Sequence, residues 1–149
     1  MNHTTEATPD VWDYYATTEL HLTGPTIQQA RRRRTQQARY GTTIHVISAY
    51  NPNGEPRDAA ENRERDADLH ALLLIAKLAP ARVMAGHDDH YEPSWATFEL
   101  SRDQACVIGR AVDQHAIFEL NVHQTEPAAT RHLVRCHDHQ TIDTRKIDL

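Results

Sequence analysis

The sequence predicts an α/β or α+β domain built on a mixed sheet of about five or six strands, with two main helices as crossover connections. A mostly apolar stretch at residues 44–49 is typical of a central strand that is covered on both faces. A long helical pattern then covers about residues 58–78, and a short strand pattern follows at residues 82–85. Strand, helix and strand at this spacing favour a right-handed βαβ unit.

The chain has 149 residues, which is enough for one domain with a substantial core. We expect residues 1–16 to form an N-terminal tail and an aromatic docking segment. That segment carries three aromatic residues: Trp12, Tyr14 and Tyr15. Residues 17–136 form the single predicted α/β domain, and the polar residues 137–149 predict a C-terminal tail.

Before the central strand, alternating residues at 17–22 predict a strand that Gly24 and Pro25 end. Residues 26–39 have a helical pattern with little apolar face. Within it lie four consecutive arginines: Arg31, Arg32, Arg33 and Arg34. Adjacent residues point in different directions around a helix, so these four cannot form a single basic face. A solvated helix surface and a phosphate-contacting arm both remain open interpretations.

The long helix begins with a capping signal, in which Asp58 is the N-cap residue and Glu61 lies three residues later. Its inner apolar stripe runs through Leu69, and one-turn steps back along this stripe reach Arg65 or Asp66 and then Asn62. A polar side chain in such an inward position needs hydrogen-bond partners. Asn62 therefore either ties down the loop after the central strand or, together with Arg65, lines a pocket.

The second half of the chain predicts a polar loop at residues 86–93. Strand patterns then follow at residues 94–100, 115–122 and 131–136. Ser101 and Gln104 form a second capping signal at the start of a helix between the first two strands. The last strand is expected to lie at an edge of the sheet.

The composition excludes several classes of protein. The formal net charge of -5 argues against a dedicated nucleic-acid-binding protein. The longest apolar run, residues 71–76, is too short to span a membrane, and residues 1–10 lack the pattern of a signal peptide. We therefore expect a cytoplasmic protein in which Cys106 and Cys136 are reduced thiols.

An ordered set of short motifs runs through residues 42–122. The motifs are Ser48-Ala49-Tyr50-Asn51-Pro52, Glu61-Asn62, Gly86, Glu92-Pro93-Ser94, Gly109-Arg110 and Gln114-His115-Ala116-Ile117. As a set they resemble a bacterial family known as domain of unknown function 3293. The sequence departs from the family pattern at Ser48, at Asn53-Gly54 and at His115. The resemblance implies a shared fold and a shared site, but it implies no activity.

The polar residues at or near these motifs form a candidate site: Tyr50, Asn51, Asn62, Arg65, Glu92, Ser94 and Gln114. Hydrogen-bonding residues at the ends of elements favour a small polar ligand, such as a nucleotide, an amino acid or a sugar. If the protein is an enzyme, Glu92 is the candidate general base, and Tyr50 or Ser94 is placed to pass a proton. The other four are assigned to ligand binding, with Arg65 as an anion clamp. A buried network that only holds loops together is the alternative.

We therefore expect the protein to bind a small polar molecule in a pocket after the strand that ends at Tyr50. The alternative is a non-catalytic interaction module, which binds nucleic acid or a protein partner through the arginine run or the acidic surface. A small inhibitor of a host factor is a third possibility. Residues 87–90 and 136–139 are rich in His but lack recognised zinc-ligand spacing, so no metal ligands are assigned and the cofactor is unknown.

Overall fold

The structure is a computed structural model that describes residues 9–36, 42–122 and 128–148, with the side chains of residues 12–30, 42–122 and 128–148. The helices are α1 (Pro9–Ala16), α2 (Gly24–Gln36), α3 (Ala59–Ile75) and α4 (Arg102–Ala111). The strands are β1 (Glu19–Leu22), β2 (Thr42–Ile47), β3 (Ala81–His87), β4 (His90–Thr97), β5 (Ala116–Val122), β6 (Ala128–Arg135) and β7 (Thr141–Asp148). A single 3₁₀ turn, Pro52–Gly54, lies between β2 and α3.

The seven strands of the described chain form one sheet in the order β1-β3-β4-β2-β5-β6-β7, and each neighbouring pair is antiparallel. Strands β2 and β3 are therefore parallel to each other, but β4 lies between them. Strands β4 and β5 are likewise parallel, with β2 between them. Helices α3 and α4 each connect two such parallel strands. This interleaved βαββαβ unit has the ferredoxin-like topology, and β1, β6 and β7 extend its two edges.

The α+β class and the crossover role of the two helices are confirmed, whereas the predicted sheet is corrected. It has seven described strands instead of five or six, and it is antiparallel instead of mixed. The predicted βαβ unit is split because residues 86–93 are mostly strand, with a tight turn at Asp88 and Asp89, and not the expected loop. This turn folds β4 back between β3 and β2. Gly86 is required there, since a Cβ atom would lie 1.8 Å from the carbonyl oxygen of His90.

The C-terminal residues also differ from the prediction. Residues 141–148 form β7, paired with β6, instead of the expected tail, so β6 is not the edge strand. Apart from Ile142 and Ile147, β7 consists of polar residues, and most of its side chains are exposed. An edge strand with two open faces lacks the apolar alternation by which strands are recognised in a sequence.

Helices cover both faces of the sheet, as the apolar pattern of β2 predicts. Ile44 and Val46 belong to a core cluster that includes residues of α1 and α2. Ile47 belongs to a second cluster with residues of α3 and α4. Cys106 and Cys136 lie buried in this second cluster as free thiols. None of the helices within the described ranges is long and apolar enough to cross a membrane.

A buried ion-pair network holds the start of α4 against the sheet. His45 and Glu119 lie directly opposite each other on β2 and β5, with 2.8 Å between His45 Nε2 and Glu119 Oε2. Arg102 donates from Nη2 to Glu119 Oε1 at 2.7 Å and from Nε to Oε2 at 3.1 Å. Burial alone would raise the pKa of Glu119, but the hydrogen bonds from His45 and Arg102 hold it at about 2.

Replacing Glu119 with Gln is expected to lower the free energy of unfolding at pH 7 by about 3 kcal/mol, because it removes the carboxylate that bonds to the Arg102 guanidinium and the His45 ring. The folded pKa lies below the ordinary value of 4.5, so the stabilisation is complete above about pH 4.5 and is lost as pH falls towards 2. Urea unfolding of the parent and Glu119→Gln at several pH values measures this difference. Glu64→Gln, at an exposed position on α3, is the matched control and should change stability by less than about 0.5 kcal/mol. A loss that persists undiminished at the lowest pH would contradict this account.

Candidate functional site

A cavity of about 300 Å³ lies where β2 ends and β4 begins, against α1. Its lining residues are Tyr14, Tyr15, Tyr50, Asn51, Gly54, His90, Glu92 and Gln114. A second cavity of about 40 Å³ shares four of these residues, namely Tyr14, Tyr15, Glu92 and Gln114, and is also lined by Ser94. The larger cavity has the size of a small-ligand site, whereas the smaller one has room only for water.

The structure brings together most of the residues that the sequence nominates. Four of the seven line the larger cavity: Tyr50, Asn51, Glu92 and Gln114. Ser94 is almost fully buried and lines only the smaller cavity. Asn62 and Arg65 line neither cavity and instead contact the backbone of the loops that form the rim.

Asn51 connects three separate segments at the edge of the cavity. Its backbone has φ 45° and ψ 67°, a left-handed conformation that Asn adopts more readily than most residues. Its Nδ2 donates to Glu92 Oε1 at 2.6 Å, and its Oδ1 accepts from the Arg57 amide at 3.0 Å. Asn51 and Asn62 are joined by two bonds of 2.9 Å, from the Asn51 amide to Asn62 Oδ1 and from Asn62 Nδ2 to Asn51 Oδ1.

Arg65 supports the same loop from the next turn of α3. Its Nε donates to the Ala49 carbonyl at 3.0 Å, and its Nη2 donates to the Val112 carbonyl at 2.6 Å. The guanidinium also lies 3.3 Å from a carboxylate oxygen of Asp113. With its hydrogen bonds committed to these groups, Arg65 joins the loop after β2 to the loop after α4.

Gln114 forms the opposite wall and is also tied to the first loop. It is buried, and its Nε2 donates to the Tyr50 carbonyl at 2.8 Å. A backbone bond of 2.7 Å from the Asn53 amide to the Asp113 carbonyl reinforces this contact. The rim of the cavity is therefore held by hydrogen bonds on both sides.

Within the described part of the chain, Glu92 is the one carboxylate that lines the cavity. It is half-buried on β4, and burial raises its pKa, an effect opposed by the Asn51 hydrogen bond and by the nearby His90. Side chains alternate along a strand, so His90, Glu92 and Ser94 all point to the same face of the sheet. A carboxyl group with a raised pKa at a cavity wall is suited to proton transfer and to binding a polar ligand.

Four lining residues are not among those nominated from the sequence: Tyr14, Tyr15, Gly54 and His90. Both tyrosines lie on α1, which the sequence identified only as a docking segment. Burial raises the pKa of Tyr15, and the neighbouring Glu92 raises it further. The position of His90 is predictable from the sequence. If the strand is extended back to residue 90, side-chain alternation places His90 on the same face as Glu92.

Arg131 holds α1 in place over the cavity. This side chain is buried on β6, and it donates to the carbonyls of Ala16 and Thr18. Its guanidinium also lies 5.2 Å from the centre of the Phe118 ring, a cation–π contact. The position of the two cavity tyrosines thus depends on a residue more than 100 positions away along the chain.

Two further candidates do not add to this site. Within the described residues, no group of three or more His, Cys, Asp or Glu side chains comes together to hold a metal ion. The arginine run at residues 31–34 lies on α2, but its side chains are outside the described residues.

These features define a ferredoxin-like α+β domain with a ligand-sized polar cavity at one end of its central strands. Residues 47–117 match the sequence profile of the family described as "Protein of unknown function (DUF3293)", so the resemblance to that family is confirmed. The matched region contains all seven residues nominated from the sequence, whereas Tyr14 and Tyr15 lie outside it. No curated protein and no solved structure matches the chain significantly.

Replacing Glu92 with Gln is expected to stabilise the ligand-free protein at neutral pH. The folded pKa of Glu92 is raised, so the ionised carboxylate costs stability, and this cost disappears as pH falls and the group becomes protonated. Gln retains an oxygen that can accept the Asn51 hydrogen bond. Thermal unfolding of the parent and Glu92→Gln between pH 4 and pH 8 measures the gain. A variant that is less stable than the parent at pH 7 would contradict this interpretation of the site.

Replacing Asn62 with Ala is expected to lower the free energy of unfolding by about 1–3 kcal/mol, because the Asn51 amide loses its acceptor. Denaturant unfolding measures the loss, and hydrogen exchange should show faster exchange at the Asn51 amide. Arg63→Ala, at an exposed position of the same helical turn, is the control. Unchanged stability in Asn62→Ala would show that Asn62 does not hold the loop.

Proposed function

We propose that the protein binds a small polar ligand in the 300 Å³ cavity between Tyr50, Asn51, Glu92 and Gln114. The observation that carries this proposal is the cavity itself, which is lined by hydrogen-bonding and aromatic side chains on a pre-formed rim. Binding sites for small molecules have this character, with a few well-placed polar groups in a concave surface.

Several polar groups in the lining are available to a ligand. Within the described part of the chain, the hydroxyl groups of Tyr14, Tyr15 and Tyr50 make no hydrogen bond to the protein, and neither does the His90 ring. Glu92 uses one carboxylate oxygen for Asn51, which leaves the other oxygen for a ligand. The cavity therefore offers donors and acceptors that the fold itself does not use.

The lining narrows the ligand classes that the sequence suggests. Among the described residues it contains no Arg or Lys, and Arg65, the expected anion clamp, contacts backbone carbonyls instead. Phosphate groups are usually held by Arg, Lys or a helix N-terminus. The cavity thus favours the uncharged and nitrogen-bearing parts of nucleosides, sugars and amino compounds over phosphate-bearing ligands. If the protein is an enzyme, Glu92 remains the proposed general base, with Tyr50 beside it in the lining.

A thermal-shift screen against nucleosides, nucleotides, sugars, amino acids and amines tests the proposal, with titration calorimetry to measure any affinity found. A ligand at about 100 times its Kd should stabilise the parent by about 2.7 kcal/mol. Glu92→Gln should lose most of this stabilisation. Asp89→Asn makes the same carboxylate-to-amide change in the adjacent turn, at an exposed residue outside the cavity, and should retain it.

Amide chemical shifts then show where a ligand binds. We expect the changes to cluster at Gly54, His90 and Gln114 when the ligand is added. A ligand that binds the parent and Glu92→Gln equally, with changes elsewhere on the surface, would contradict the proposed site. A complete absence of binding across the screen would direct attention to protein or nucleic-acid partners.

A further inference from the structure

We propose that the cavity selects organic cations, in which a protonated nitrogen pairs with Glu92 and the attached apolar body lies against the tyrosines. This inference rests on the proposed function, because it names the ligand class for the same cavity. It follows from three features of the described residues: an unpaired carboxylate, an aromatic wall and the charge of the lining.

Glu92 differs from the most buried carboxylates of the described chain in forming no ion pair with Arg or Lys, and the nearby His90, which lowers its pKa, is an exposed residue. Glu119 has a side chain that is 10% exposed and is paired with Arg102 at 2.7 Å. Asp66 is 13% exposed and is paired with Arg82 at 2.7 Å. Glu92 is half-buried, yet within the described residues its side chain bonds only to the neutral amide of Asn51. A carboxylate in such surroundings normally acquires a positive partner, and the open side of Glu92 is the cavity.

The tyrosines of the lining are suited to contact the apolar part of an organic cation. Three of the eight lining residues are tyrosines, two from α1 and one from the loop after β2. The faces of aromatic rings carry negative potential and attract ammonium and guanidinium groups, as in the aromatic cages that bind quaternary ammonium ligands. The ring faces and Glu92 therefore favour the same sign of charge on a ligand.

The charge of the lining also disfavours anionic ligands. Among the described lining residues, Glu92 is the only acidic side chain and no Arg or Lys balances it, while His90 stands on the exposed rim. An anionic ligand would meet an unpaired carboxylate with no permanent cation to hold it. Discrimination against anions thus comes from repulsion as well as from missing contacts.

Three probes of nearly equal size separate these effects: benzylamine, benzyl alcohol and benzoate. Each is titrated at pH 7 into the parent, Glu92→Gln and Asp89→Asn, and the Kd is obtained from amide chemical shifts at Gly54 and His90. We expect benzylamine to bind the parent about tenfold more tightly than benzyl alcohol, with benzoate weakest. Glu92→Gln should abolish the preference for the amine, and Asp89→Asn should keep it.

A second measurement tests the direct contact between the ligand's ammonium group and Glu92. The Glu92 carboxyl carbon is titrated by NMR with and without saturating benzylamine, and the bound amine should lower the pKa of Glu92. Binding of benzylamine without this decrease would overturn the inference, and so would equal or tighter binding of benzyl alcohol or benzoate in the cavity. Either result would leave the proposed ligand site intact. If none of the three probes perturbs the cavity, the organic-cation inference fails, and the broader screen alone decides the proposed function.

Discussion

The pair of hydrogen bonds between Asn51 and Asn62 is the constraint on which the candidate site depends. It fixes the loop after β2 to the first turn of α3, and through Asn51 Nδ2 it extends to Glu92 on β4. Three segments of the chain therefore meet at one side chain in a left-handed backbone conformation. These hydrogen bonds hold the rim of the cavity in place, and a rim that is already ordered would reduce the conformational freedom lost by the proposed binding.

Glu92, which is half-buried, and Glu119, which is buried, are treated in opposite ways by the same fold. Glu119 lies between His45 and Arg102, so its charge is compensated and contributes to stability. Glu92 has only Asn51 as a partner among the described residues, so burial raises its pKa and its charge costs stability. Groups that a protein keeps at a cost to stability are typical of functional sites. This contrast is the physical reason for which we propose a functional role for Glu92.

The residues that line the cavity come from two regions of the chain. Its amide and carboxyl groups lie within residues 47–117, the region that resembles the family of unknown function. Two of its three tyrosines lie on α1, outside that region, and Arg131 on β6 holds the end of this helix. The candidate site therefore combines groups from inside and outside the matched region.

The sequence by itself determined the features that depend on neighbouring residues. Asp58 and Ser101 mark helix starts because capping uses groups a few positions apart, and the apolar run of β2 indicates a strand covered on both faces. The ordered motifs also nominated Glu92 and its amide partner Asn51. Only the tertiary structure decided the antiparallel strand order, the polar edge strand β7 and the placement of α1 over the cavity. These features depend on contacts between distant residues, such as Arg131 with Ala16, and local periodicity carries no information about such contacts.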